Sequence, residues 1–191
     1  MKLQSDNILV VDLYNTLVRN TSRLNPYKKL FIDIKNINPS VNIPSREFFN
    51  LSMMYNGSIT GLLKSLGINF NDEMINSFKL LIDEELNSII FNEDLISDLS
   101  SQNKKIILLS NLSFEYSPPI SELKSKLDIY SSILSFEVNL LKPNKDIFLL
   151  ASQEGNATPK QSFMYGDNMD LDILGAFNSG YGGTKLVNKW W

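Results

Sequence analysis

Four polar side chains follow short apolar runs in this chain. Asp12 comes directly after Ile8 to Val11, Ser110 after the run that starts at Lys104, and Asp167 after Ser162 to Gly166, while Lys142 lies a few residues past Ile133 to Val138. Buried parallel strands read as continuous apolar runs. If these runs are parallel strands of one sheet, their carboxyl ends share a face, and ligands of open α/β sheets bind beyond that face. Carboxylates, a hydroxyl and an ammonium gathered there suit a phosphoryl group with Mg²⁺. The carboxylates hold a hard cation through oxygen, the lysine and serine offset phosphate charge, and one aspartate is free to attack.

Two absences narrow the chemistry further. The 191 residues contain Cys 0 and His 0. That excludes disulfides, thiolate nucleophiles, imidazole bases, Ser-His-Asp relays and the usual zinc sites. Eighteen Lys+Arg stand against 21 Asp+Glu, a net charge of −3. The densest basic pairs, Lys28-Lys29 and Lys104-Lys105, make no continuous stripe, so no nucleic-acid partner is expected. From Met1 to Asp12 the only apolar run is Ile8 to Val11. A signal peptide needs a longer run and a membrane span about 20 apolar residues, so a cytoplasmic chain with no membrane partner is expected.

The elements needed to position the polar residues can be traced along the chain. After the first strand, Asn7 to Val11, the pattern turns helical from about residue 24 to 99. Pro26, Ser45 and Asn71 open segments, and Met74, Ile75, Phe78, Ile82 and Leu86 lie along one face. Strands then alternate with helices: a strand from Lys104 to Leu109, a helix over Ile120 to Leu127, and a strand over Ile133 to Val138. A helix over Lys145 to Glu154, a strand over Ser162 to Tyr165, a helix over Asp170 to Asn178 with Asp170 at its start, and a strand over Thr184 to Val187 complete the series. This alternation predicts an α/β protein with a Rossmann-like, doubly wound parallel sheet, residues 1–20 and 90–191, interrupted by an inserted helical cap, residues 21–89. Arg46 reads as surface, and Trp190-Trp191 as exposed or packing residues.

At four places the chain resembles the haloacid dehalogenase (HAD) superfamily. Asp12-Leu13-Tyr14-Asn15-Thr16-Leu17 is similar to its first motif, usually D-x-D-G-T-L, and Leu108-Leu109-Ser110-Asn111 to its second. Leu141-Lys142-Pro143 through Phe148 is similar to the third, and Tyr165-Gly166-Asp167-Asn168-Met169-Asp170-Leu171-Asp172 to the fourth. The helical insert sits where subfamily I members carry a C1 cap. The resemblance implies that Asp12 is the nucleophile, forming an aspartyl intermediate, and a Mg²⁺ ligand. It implies the Tyr14 backbone carbonyl and Asp167 as further ligands, with Asp172 in support. Ser110 and the Asn111 amide would hold phosphoryl oxygens, Lys142 would offset the charge between Asp12 and substrate, and Thr16 would brace the first loop beside the substrate. The substrate would be a small, phosphorylated molecule; oligomeric state has no signature in the sequence.

Position 14 departs from the family phosphatases, which carry there a second aspartate as general acid and base. Tyr14 takes that catalytic place here: a phenol, with a reference pKa of about 10, can donate a proton but is a poor base at neutral pH. The L-2-haloacid dehalogenases carry D-x-Y-G-T, and displacement of halide from carbon needs no leaving-group proton. The first motif therefore points to a dehalogenase-like hydrolase, and Gly166-Asp167 with the spacing to Asp172 to a phosphatase or phosphotransferase. A third reading is a catalytically impaired HAD-fold protein kept for binding or regulation. Asn15, in place of the usual glycine, is expected to tolerate left-handed backbone angles.

Overall fold

The computed structural model describes residues 7–188 and Trp190; the first six residues and Trp191, on which the leader and packing expectations partly fall, lie outside the described residues. Strand β1 (Ile8–Val11) is apolar and buried along its whole length. After the Asp12 loop come β2 (Val18–Asn20) and helices α1 (Pro26–Ile37), α2 (Ser45–Met54), α3 (Ile59–Ser65) and α4 (Asp72–Asn87). Strand β3 (Ile89–Phe91) returns antiparallel beside β2, with Val18 opposite Phe91. Then follow α5 (Glu93–Ser101), β4 (Ile106–Ser110), a 3-10 turn (Phe114–Tyr116), α6 (Pro119–Lys126), β5 (Ile129–Leu134) and α7 (Ser135–Val138). The chain continues through α8 (Lys145–Glu154), β6 (Ser162–Gly166), a π-helical stretch (Met169–Leu174), α9 (Gly175–Asn178) and β7 (Gly183–Leu186).

The five long-range strands form one sheet in the order β5-β4-β1-β6-β7, every neighbouring pair parallel. This is the doubly wound parallel sheet expected from the alternation, and β1 lies at its switch point: the chain runs outward through β4 to β5, then crosses to β6 and β7 on the other side of β1. The two-residue period of the strands divides the core. Leu9, Val11, Ile106 and Leu108 face one helical layer; Ile8, Val10, Ile107 and Leu109 face the other. Helices α1 to α4 build a third cluster of their own, centred on Leu30, Ile34, Phe48, Leu63, Phe78 and Ile82. Asn71 and Asn92 cap α4 and α5, accepting from Met74 N at 2.8 Å and Leu95 N at 3.2 Å. Among the described residues no helix is long and apolar enough to cross a membrane.

Several elements differ from those read in the sequence. The strand expected over Ile133 to Val138 is β5, which begins at Ile129 and ends at Leu134, and Ser135–Val138 turns helical. The start was hidden because β5 is an edge strand whose first residues, Tyr130 and the serines after it, are not continuously apolar. The end is set by Ser135, whose buried hydroxyl donates to Met53 O at 2.7 Å and accepts from Leu112 N at 2.8 Å. The single helix expected over Asp170 to Asn178 is a π-helical stretch followed by α9, and its cap is Asn168 rather than Asp170: Asn168 Oδ1 accepts from Asp170 N and Leu171 N, both at 3.0 Å. Ser45 is the first residue of α2, preceded by Pro44, and makes no side-chain cap.

Ile107 is fully buried at the centre of the sheet. Truncation there removes transfer energy and leaves a cavity in a close-packed layer. Ile107→Ala is expected to lower the unfolding free energy by about 2–5 kcal/mol with an unchanged m-value, measured by urea denaturation.

Candidate active site

The end of β1 delivers Asp12 to the carboxyl edge of the sheet, its backbone N–H donating to Tyr165 O at 2.9 Å. The next residues turn tightly: Leu13 O accepts from the N–H groups of Leu17 at 2.8 Å and Val18 at 3.0 Å. Asn15 takes the left-handed conformation this turn requires, at φ 62°. Thr16 is fully buried, and its hydroxyl donates to Asp12 Oδ2 at 3.2 Å. That places it as a brace inside the loop and not on a surface that substrate can touch.

Three further elements converge on Asp12. Ser110, closing β4, donates from Oγ to Asp12 Oδ1 at 3.4 Å, a long contact. Lys142, 4% exposed, donates from Nζ to Asp12 Oδ1 at 2.7 Å, Asp172 Oδ1 at 2.6 Å and Leu109 O at 3.1 Å, so each of its three protons has an acceptor. Its backbone is clamped by Asn111, which donates from Nδ2 to Lys142 O at 3.0 Å and accepts from Lys142 N at 2.7 Å. Asp172 also accepts from Asn168 N at 3.0 Å. Gly166 permits this close approach: a Cβ there would lie 2.3 Å from Asp172 Oδ2. Asp12, Asp167 and Asp172 each present a carboxylate oxygen within 4.8 Å of the other two. The four strand-end residues and Asp172 thus meet at one point, as parallel strands require.

Burial pushes the Asp12 carboxyl up to about 6; Lys142 pulls it back, while Asp172 and Asp167 push the same way as burial. Burial alone would lower the Lys142 ammonium, but Asp12 and Asp172 outweigh it and hold the lysine charged. Asp12 and Asp172 therefore share one buried ammonium, with an Asp167 carboxylate oxygen beside them. Carboxylate oxygens gathered in this way are the donors a hard divalent cation takes. Tyr14 is placed differently from the expected acid. Its hydroxyl donates to Tyr116 O at 3.1 Å, and burial, with the nearby Glu85 charge, raises its pKa well above the ordinary phenol value.

A cavity of about 490 Å³ adjoins this cluster, with Tyr14, Asn15 and Asn111 on the sheet side and Tyr27, Phe49 and Glu85 on the helical side. Arg23 and Lys28 are exposed at its margin. Arg46 is exposed and does not line it. Glu85 was not singled out in the sequence, where it is one of several acidic residues of α4. Its only signal is its spacing from Phe78 and Ile82 on the buried face of that helix. It is 5% exposed and accepts from Leu24 N at 2.5 Å, Asn25 N at 2.9 Å, Asn20 Nδ2 at 3.3 Å and the Tyr116 hydroxyl. Trp190 was also left without a role. Its indole N–H donates to Asn15 O at 3.2 Å, and the Arg19 guanidinium lies 5.3 Å over its ring.

Residues 140–187 match the model of a HAD-hydrolase-like family. The structure resembles a HAD family enzyme from Bacteroides thetaiotaomicron in complex with magnesium and inorganic phosphate (TM-score 0.62, 17% identity, covering 97% of this chain and 96% of that one). It also resembles a HAD phosphatase from Thermococcus onnurineus (0.56, 16%, 95% and 86%). A 2-haloacid dehalogenase from Pseudomonas syringae pv. Tomato DC3000 matches as well (0.55, 12%, 93% and 85%). No match was found among the curated proteins. At these identities the likeness is one of fold, the HAD-type α/β fold.

Two measurements on chelator-treated protein test the electrostatics. The folded Asp12 carboxyl holds its proton to higher pH than the unfolded one, so keeping it buried becomes costly as pH rises through about 6. The stability of the wild type relative to Asp12→Asn should fall between about pH 4 and pH 7 and then level off; a difference independent of pH contradicts the assignment. Lys142→Met leaves Asp12 and Asp172 buried without their cation and should cost about 3–5 kcal/mol at neutral pH, measured by denaturant unfolding.

Proposed function

We propose that this chain is a Mg²⁺-dependent phosphohydrolase or phosphotransferase acting on a small phosphorylated molecule through an aspartyl phosphate on Asp12. The observation that carries this reading is the cluster of Asp12, Asp167 and Asp172, whose carboxylate oxygens lie within 4.8 Å of one another beside Lys142. Asp12, Asp167 and the Tyr14 backbone carbonyl would hold Mg²⁺, with Asp172 in support. Bound there, the ion would offset charge on the phosphoryl oxygens and the nucleophile.

Asp12 attacks phosphorus as the bond to the leaving oxygen breaks. Ser110 and the Asn111 amide receive phosphoryl oxygens, and Lys142 keeps Asp12 oriented while offsetting the charge that builds between it and the substrate. Water then cleaves the acyl phosphate and frees Asp12. Helices α1 to α4, within residues 21–89, act as a cap over the sheet edge and supply the far wall of the cavity. Tyr14 does not replace the missing aspartate: its one proton is committed to Tyr116 O, and its raised pKa makes it no base. The leaving group must therefore depart without a proton from that position, which favours weakly basic leaving groups such as acyl phosphates. The aspartyl phosphate is expected to be long-lived.

Tyr14 also favours a second reading, displacement of halide by Asp12, for which no leaving-group proton is required. The acidic cluster supports the phosphoryl reading over it, because attack on a carbon–halogen bond has no use for a divalent-cation site. Phosphate release from acetyl phosphate should require Mg²⁺ and be abolished in Asp12→Asn. Halide release from 2-haloacids without metal would establish the second reading, and phosphate binding with no turnover of either would establish a binding protein. Tyr14→Asp should raise kcat on a simple alkyl phosphate at least tenfold, part of the roughly 10²–10⁴-fold that acid–base catalysis contributes. An unchanged rate removes Tyr14 as the bottleneck.

A further inference from the structure

The cavity beside Asp12 has a distribution of protons that the reaction does not use. A phenol carries one proton. Tyr14 donates its proton to Tyr116 O, and Tyr116 donates its own to Glu85. Both phenol oxygens therefore offer lone pairs and no donor. The Asn20 amide nitrogen is likewise committed to Glu85, and Asn20 Oδ1, buried, has no donor among the described residues. Glu85 itself is a buried carboxylate with no ion-pair partner within 4 Å among the described residues. Around it stand three aromatic rings: Tyr14 and Tyr116 meet edge to face at 5.6 Å and 77°, and Tyr27 lies 6.2 Å from Tyr116.

The Tyr14, Tyr116 and Asn20 oxygens, which only accept, the Glu85 carboxylate and the non-parallel aromatic rings make one side of the cavity select by charge and by proton inventory. A carboxylate on the ligand would be repelled by Glu85, and a hydroxyl would bring lone pairs of its own to oxygens that already have them. A protonated amine brings donors, positive charge and no lone pair, and a quaternary amine brings the charge that aromatic faces attract. Arg23 and Lys28 also line the cavity but are exposed, so water and salt screen their charge more than that of the buried Glu85. We infer that, on the phosphoryl-transfer reading above, this cavity selects phosphate esters whose leaving group carries a protonated or quaternary amine a few bonds from the ester oxygen.

The class also suits the missing acid. As the Asp12–phosphorus bond forms and the ester P–O bond breaks, the electron pair leaves on the amino alcohol's oxygen, which takes its proton from water. Hydrolysis of the aspartyl phosphate by a second water returns Asp12 and phosphate. A cation close to the departing oxygen stabilises its developing charge without a proton donor from the protein.

The test compares phosphocholine with its uncharged isostere, 3,3-dimethylbutyl phosphate, on the full chain with Mg²⁺, with acetyl phosphate as a gauge of Asp12 chemistry. The expected result is a kcat/KM at least tenfold higher for phosphocholine, with that ratio reduced at least threefold in both Glu85→Gln and Tyr116→Phe. Because each ratio is taken within one protein, loss of folded material does not move it. A wild-type ratio near or below one, with acetyl phosphate still cleaved, overturns the amine inference and leaves phosphoryl transfer standing. If acetyl phosphate is not cleaved, the phosphoryl reading itself fails. Where neither ester turns over, calorimetric titration with choline decides: binding weakened in Glu85→Gln supports the amine site, and no binding overturns it.

Discussion

A buried ammonium must find acceptors for all three of its protons, and in this chain that requirement ties together the whole carboxyl edge of the sheet. Lys142 takes one acceptor from the end of β1, one from the end of β4 and one from the π-helical stretch after β6, while the loop that carries it follows β5 and α7. Four strands contribute to one nitrogen only because they run parallel in the order found, with β1 between β4 and β6. The smaller features serve the same contact. Asn111 clamps the lysine backbone, Asn168 holds Asp172 by its N–H, and the absence of a side chain at Gly166 gives Asp172 room. The arrangement brings carboxylate oxygens of Asp12, Asp167 and Asp172 to one point, and that clustering is what supports the metal-assisted chemistry proposed above.

A second network, built on different physics, joins the helical insertion to the sheet. Here carboxylates reach across the boundary in both directions. Glu85, on α4, accepts from Tyr116 and from the backbone that leads into α1. Glu115, in the turn after β4, accepts from Tyr27 on α1 and, at 2.6 Å, from the N–H of Ile59 at the start of α3. Neither has an ion-pair partner within 4 Å among the described residues. Each is stabilised by backbone and phenol donors, which fixes the positions of the segments as well as neutralising the cost of burial. Ser135 adds a third tie, to Met53 O on α2.

The sheet was legible because fully buried parallel strands are written as apolar runs, as in β1 and β4, and because β6, though only alternately buried, carries Phe163-Met164-Tyr165 at its centre. The residues that end them could be picked out for the same reason: Asp12, Ser110 and Asp167 each break a run that has no other cause to stop. Elements whose signal is not periodic could not be read. The β2–β3 ribbon has three residues a strand, too few to show alternation. The edge strand β5 mixes polar and apolar residues, and the π-helical stretch inserts a residue that a helical period does not anticipate. Glu85 was illegible for a different reason. Its burial depends on donors from Leu24, Asn25, Asn20 and Tyr116, residues up to 65 positions away, and no local pattern in α4 separates it from its solvated neighbours.

Tyr14 is where the two networks meet. Its backbone belongs to the tight loop that presents Asp12, and its side chain belongs to the wall that Glu85 and Tyr116 organise. An aspartate at this position would be short enough to stay within the first network and exchange protons with a reacting group. The tyrosine extends past it, packs against Tyr116 and commits its proton there. Tyr14 thus shapes the cavity, and its proton is committed to Tyr116 O. In a chain without histidine, no imidazole can take over the lost function. On the phosphoryl-transfer proposal the consequence falls on the substrate: whatever Asp12 attacks must carry its own means of stabilising the departing group, either through low basicity or through the positive charge inferred above.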